Sequence, residues 1–269
     1  MGRTPPTAIA FQDVSYAPQG RSLVSGLTLS LEQGQTLALL GRSGCGKTTT
    51  LKLINRLLLP TQGEVFIENI PTARWNPIEL RRNIGYVIQD IGLFPHFTVE
   101  QNIGLVPTLK GWNQQKIRDR VAELLDLVGL DASQFAQRYP HQLSGGQRQR
   151  IGVARALAVD PPILLMDEPF SALDPITRLE LQQEFRRLQQ RLHKTIVWVT
   201  HDVQEALLLG TQIGLMHHGM LLSLTTPAEF LHHKSPEAQD FLSYFHQADQ
   251  IQQRLSAAHP LETPYDKLA

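Results

Sequence analysis

The sequence predicts an α/β fold with a mainly parallel sheet and a largely helical insertion. Three observations carry this expectation. A wholly apolar run at 36–40 (TLALL) feeds a glycine-rich loop and then a helical pattern. Apolar runs return at 163–166 (ILLM) and 195–199 (TIVWV), with a helical pattern at 176–192 between them. From about 98 to 158 the pattern is mostly helical, at 113–128 and 144–158. Strands that alternate with helices fit a parallel sheet covered on its faces.

Taken in order, 8–17 (AIAFQDVSYA) and 27–33 (LTLSLEQ) alternate apolar and polar residues, as half-buried strands do. The run 36–40 reads as a buried strand ending at Gly41. A helix pattern through Leu51, Ile54 and Leu57 stops at Pro60. Residues 64–70 and 84–88 read as further strands. The tail from about 246 is polar and Gln-rich, and no internal repeat is visible.

Apolar residues make up 42% and charged residues 19% of the 269, which places the chain among globular proteins. Lys plus Arg equals Asp plus Glu, at 25 each, so there is no electrostatic case for a nucleic-acid partner. Basic clusters such as Arg148-Gln149-Arg150 and Arg186-Arg187 fall in helical patterns and read as solvated faces. The single cysteine, Cys45, excludes an internal disulfide framework and fits a reducing compartment. No run approaches the ~18 apolar residues needed to span a bilayer. Any membrane role is therefore expected to come through a partner.

Residues 41–48 read Gly41-Arg42-Ser43-Gly44-Cys45-Gly46-Lys47-Thr48, with Thr49 next, and match the phosphate-loop pattern. Glycines let the backbone curl so that successive N–H groups face phosphate oxygens. The following helix adds its positive N-terminal end. Lys47 supplies a point charge to the β- and γ-phosphates, and the Thr48 hydroxyl suits Mg²⁺. The bare pattern arises by chance in roughly one chain in a hundred of this length. The strand before it and the helix after it reduce that further. At Cys45 the backbone N–H is expected to matter and the thiol not.

Residues 163–168 put two carboxylates, Asp167 and Glu168, at the end of an apolar strand, where ligands sit in open α/β sheets. Asp167 suits a Mg²⁺-linked role, and Glu168 could accept a proton from an attacking water. Alone, the pair also reads as a solvated acidic turn. A second phosphate-binding design follows Leu143: Ser144-Gly145-Gly146-Gln147 at a helix start. Its plainer reading is a helix cap.

The LSGGQ of 143–147 resembles the signature sequence of the ABC ATPase family, and the other elements of that family occur in its order. Tyr16 resembles the aromatic that stacks on adenine. Gln89 resembles the Q-loop glutamine, Ser171-Ala172-Leu173-Asp174 the D-loop, and His201 the switch histidine near the γ-phosphate. The similarity runs from about residue 8 to 245. It implies a P-loop NTPase core, an antiparallel β subdomain and a helical subdomain inserted at about 90–160. It also implies a single ATPase domain over 1–245 with a short polar tail at 246–269. By resemblance, ATP and Mg²⁺ are the ligands: Glu168, His201 and Gln89 serve hydrolysis, and Thr48, Gln89 and Asp167 hold the metal. Two copies would pair head to tail around ATP beneath transmembrane permease subunits, at the cytoplasmic face of the membrane, with a solute-binding protein as an indirect partner.

Residues 89–103 form a candidate surface for the permease. Phe94 and Phe97 there read equally as docking residues or as core of the helical insertion. Ile91-Gly92-Leu93-Phe94-Pro95-His96 and Lys52-Leu53-Ile54-Asn55-Arg56-Leu57 look most like importers of quaternary-ammonium osmoprotectants such as glycine betaine, choline and carnitine. Many of those continue into paired regulatory CBS domains, for which the ~24 residues after 245 are too few. Two alternatives stand beside this reading: an importer for another solute (amino acid, phosphate or sulfonate), and an ABC ATPase with no transporter. A neutral chain with one ATPase motif set argues against the second.

Overall fold

The computed structural model describes residues 6–243 and 245. β1 (Thr7–Tyr16), β2 (Val24–Glu32) and β3 (Thr36–Leu40) precede α1 (Lys47–Ile54). β4 (Gln62–Ile67), β5 (Ile70–Pro71), α2 (Pro77–Arg82) and β6 (Ile84–Val87) follow. Four helices come next: α3 (Val99–Leu109), α4 (Gln114–Leu127), α5 (Ala132–Phe135) and α6 (Gly145–Ala156). The chain then alternates through β7 (Ile163–Asp167), α7 (Pro175–Leu192), β8 (Thr195–Thr200) and α8 (Val203–Leu209) to β9 (Gln212–His217), β10 (Met220–Thr225) and α9 (Pro227–Phe230). Two compact units result, Met1–Pro227 and Ala228–Ala269. The expected tail, 246–269, lies outside the described residues.

Two sheets build the first unit. One has four strands in the order β2-β1-β4-β5, with antiparallel pairs. The other runs β10-β9-β3-β8-β7-β6, with β9-β3-β8-β7-β6 parallel and β10 antiparallel at the edge. The apolar runs explain the second sheet. All residues of β3, β7 and β8 are buried. On β7, Leu164 and Met166 join one core cluster while Ile163 and Leu165 join the other. On β8, Ile196 and Trp198 divide from Val197 and Val199 in the same way. A strand with two apolar faces is thus sandwiched, with helices α3, α4, α6 and α7 on one side and the antiparallel sheet with α1 on the other. Burying each such side chain contributes about 1.5–3 kcal/mol, so neither face tolerates a register slip.

Two stretches differ from the sequence reading: the strand expected over 64–70 is broken by a turn at Glu68 and Asn69, both at left-handed φ, into β4 and β5, and α1 stops early. The apolar period predicts α1 as far as Pro60, but the helix ends at Ile54. The Asn55 side chain accepts the Leu57 N–H at 3.1 Å, and Arg56 turns to a left-handed φ of 55°. This local side-chain bond competes with the helical ladder and leaves Leu57 on the surface. No helix among the described residues is long and apolar enough to cross a membrane.

Candidate functional site

β3 delivers Gly41 to the C-terminal edge of the parallel sheet, and the glycine loop turns there into α1. Space requires glycine at two positions. A Cβ on Gly41 would lie 2.5 Å from the Met216 carbonyl oxygen, and one on Gly46 would lie 2.5 Å from that of Leu23. Gly46 also has a φ of 106°, and it caps α1 with no side-chain acceptor. The first N–H groups of α1 are therefore left for an anion. Arg42, Ser43 and Gly44 are exposed, while Thr48 and Thr49 are half-buried. Lys47, only 4% exposed, donates from Nζ to the carbonyls of Gly41 at 2.7 Å and Arg42 at 3.1 Å. Cys45 packs inward with the second core cluster, and burial pushes its thiol pKa up.

The neighbouring strands bring the rest. Leu40 pairs with Thr200 and Asp167 with Val199, so the residues that follow all three strands emerge together. Asp167 is buried and accepts from the Thr48 hydroxyl at 2.9 Å. Burial raises its carboxyl pKa, and the Thr48 hydrogen bond opposes that rise. Tyr86 on β6 also hydrogen-bonds to Asp167, and burial followed by that acidic neighbour drives its phenol well above the usual value. Glu168 adopts a φ of 44°, a left-handed conformation that a residue with a side chain seldom takes. It is held there by its N–H to the Val199 carbonyl at 3.0 Å and by the Ser171 hydroxyl, which donates to its carbonyl at 2.9 Å. The Glu168 carboxylate then reaches Lys47 Nζ at 3.9 Å and His201 Nδ1 at 3.1 Å. Lys47, Thr48, Asp167, Glu168 and His201, scattered over more than 150 residues, thus form one group.

Tyr16, Gln89, residues 144–147 and Asp174 form no hydrogen bond or ion pair with this group among the described residues. Tyr16 ends β1 and is half-buried. Gln89 lies beyond β6 and is exposed. Ser144 caps α6, accepting from Gln147 N at 3.2 Å while Gln147 Oε1 accepts the Ser144 N–H at 3.0 Å. Gly145 and Gly146 face the start of α7, where a Cβ on Gly146 would lie 2.8 Å from the Thr177 side chain. Asp174 caps α7, taking the Thr177 N–H at 3.0 Å, and that backbone bond lowers its pKa. The signature loop and the D-loop turn are therefore neighbours within this chain.

The 91–98 segment is a built loop. Asn102, fully buried on α3, accepts the Phe94 N–H at 2.8 Å and donates to the carbonyls of Phe94, Phe97 and Thr98 at 3.0–3.2 Å. The two phenylalanine rings lie 5.3 Å apart; Phe94 is 46% exposed, and Phe97 lines a groove between α3 and α4. Arg155 near the end of α6 donates to the carbonyls of Ile91 and Gly92. Sequence reasoning missed Tyr86 and Arg155, because their partners are remote and neither lies in a short motif. A separate cavity of about 260 Å³ between α4, α6 and α7 contains none of the predicted residues.

Residues 24–171 match the family model described as ABC transporter. A choline transport ATP-binding protein of Bacillus subtilis is 52% identical over 218 residues, covering 81% of this chain and 57% of the relative. A glycine betaine uptake system ATP-binding protein of Escherichia coli is 48% identical over 247 residues, covering 92% of this chain and 79% of the relative. The chain spans less than two thirds of the length of the choline relative. A solved dimeric ATP-binding cassette, in a post-hydrolysis state with ADP and Pi, superposes with a TM-score of 0.72 at 35% identity over 81% of this chain and 98% of its own. By the family model and these relatives alike, the chain belongs to the ABC transporter family, among its ATP-binding proteins.

Proposed function

We propose that the chain binds and hydrolyses ATP as the motor subunit of an importer for quaternary-ammonium osmoprotectants such as glycine betaine, choline or carnitine. The observation that carries the ATPase part is the convergence of Lys47, Thr48, Asp167, Glu168 and His201 at one sheet edge. The names of the relatives carry the solute part.

Lys47 and the N–H groups of 41–49 hold the phosphates, and Tyr16 takes the adenine. The hard oxygens of Thr48 and Asp167, 2.9 Å apart, suit Mg²⁺, with Gln89 as a further ligand. When bound, the cation neutralises charge on the phosphate oxygens. Glu168 takes a proton from a water whose oxygen bonds to the γ-phosphorus while the bond to the ADP oxygen breaks. His201, set against Glu168, donates to the γ-phosphate. Ser144, Gly145, Gly146 and Gln147 grip the ATP of a second copy, which is why one chain carries two phosphate loops, and Asp174 shapes the turn beside them. ATP favours the closed pair and hydrolysis the open one.

Phe94 and the groove beside Phe97 would dock a transmembrane permease subunit at the cytoplasmic face, with a solute-binding protein upstream. The test is uptake of radiolabelled betaine, choline and carnitine by cells with and without the gene, in a host lacking other betaine importers. Loss of uptake of at least one on deletion is expected. Unchanged uptake of all three at low and high osmolarity overturns the solute assignment. Phe94→Glu is expected to abolish uptake while sparing the ATPase activity of the isolated subunit.

A further inference from the structure

We infer that Glu205, a buried carboxylate on α8, is a positioning residue that fixes the turn presenting His201 to Glu168. The inference rests on the role proposed above for His201.

Glu205 is only 4% exposed and lies in no ion pair among the described residues. Its charge is instead met by three donors from two other elements. Gln182 Nε2 on α7 donates to Oε1 at 3.1 Å. Trp198 Nε1 and the Thr200 hydroxyl, both on β8, donate to Oε2 at 3.3 and 2.7 Å. Removing a carboxylate from water is costly, and an aliphatic side chain would fill the same volume without that cost. What the carboxylate adds is direction, because each donor must point at it.

The consequence falls on Thr200. Its hydroxyl has one proton to donate, and it donates to Glu205 Oε2. The oxygen lone pairs are then aimed at the Asp202 N–H, which lies 2.9 Å away. Asp202 in turn caps α8 by accepting the Gln204 N–H at 2.8 Å. Thr200 and Asp202 flank His201 in sequence, so the backbone is fixed on both sides of the histidine. Although His201 is largely exposed, its Nδ1 is held 3.1 Å from the Glu168 carboxylate. A second observation places Glu205 beside the reacting groups. It lines a cavity of about 10 Å³ together with Glu168, Ser171, Arg178, Thr200, His201 and Asp202. Burial raises the Glu205 pKa, and the three donors oppose that rise. Gln182 lies on the same helix as Thr177, which packs under Gly146, so α7 supports both the signature loop and this clamp.

The experiment uses the full chain and three substitutions. Glu205→Gln removes one acceptor oxygen, Thr200→Val removes the hydroxyl at constant shape, and Thr200→Ser restores it. Because small displacements in a reacting constellation cost up to roughly a hundredfold, Glu205→Gln and Thr200→Val are expected to lower kcat about 10- to 100-fold with KM for ATP within about twofold. Thr200→Ser is expected to stay within about threefold of the parent in kcat. The ¹H–¹³C NMR signals of the His201 ring are expected to shift in the first two variants and not in the third. Unmoved ring signals in Glu205→Gln and Thr200→Val overturn the inference, as does a full kcat in Thr200→Val when His201→Ala is impaired. If Glu205→Gln fails to fold, the Thr200 pair decides alone. His201→Ala separates the two readings. A parental rate there removes the role proposed for His201, while the ring signals of the Glu205 and Thr200 variants still report whether Glu205 positions it.

Discussion

The two glycine-rich loops, 41–48 and 143–147, both end on the first turn of a helix, yet their polar groups are satisfied in opposite ways. The first follows a fully buried strand and engages remote parts of the chain. Lys47 is buried near Glu168, and Thr48 bonds to Asp167 across 119 positions. The second is satisfied locally: Ser144 and Gln147 close a capping box on each other. Their environments teach that a phosphate-type loop becomes half of a site only when the sheet brings carboxylates to it. The signature loop is neighboured instead by the turn before α7, whose Asp174 carboxylate is taken up by the Thr177 N–H.

The largest expected effect breaks the first loop's side of this contrast. Glu168→Gln keeps shape but removes the proposed base, and kcat is expected to fall by about 10³ while ATP still binds. A dimer should accumulate on size exclusion with Mg-ATP; a monomer that hydrolyses normally refutes the role of Glu168. Lys47→Ala removes the buried charge. Binding of a fluorescent ATP analogue is expected to weaken about 10²-fold, with the circular dichroism spectrum unchanged. Near-parental affinity would remove Lys47 from the phosphate site.

Ser144→Ala sharpens the comparison from the other side. Loss of an N-cap costs about 1 kcal/mol. ATP affinity of the monomer is expected to hold within about twofold while ATP-driven dimerisation weakens about tenfold, measured by analytical ultracentrifugation in the Glu168→Gln background. An equal loss in monomer affinity would mean that both loops serve one ATP within the chain. The last expected effect concerns Cys45. Burial holds its thiol above the ordinary cysteine pKa, so at pH 8 it carries less thiolate than a free thiol. Maleimide labelling is expected to run at least about tenfold slower than that of glutathione and to quicken as pH rises. Labelling as fast as glutathione would place the thiol on the loop's outer face.

Much of the site was legible because its chemistry is local. A glycine loop needs its glycines in sequence, and an acidic pair at the end of an apolar run needs only that run. Asn55 shows where local reading failed: the apolar period continued to Leu57, but one side-chain bond ended the helix. Phe94 and Phe97 show another limit. Two aromatics in a loop are alike in sequence, and only the cross-bracing by Asn102 decides that one is exposed while the other faces a groove.

The sequence by itself determined the loops, the buried strands and the residue types able to handle phosphate, metal and water. Tertiary structure alone decided which of them meet. Lys47, Glu168 and His201 converge because β3, β8 and β7 are adjacent and in parallel register. Glu168 reaches both partners because Val199 and Ser171 hold its backbone left-handed. The Ser171 contact is local, but strand order and the Val199 bond arise from contacts across more than thirty positions, and no local pattern of residues records those.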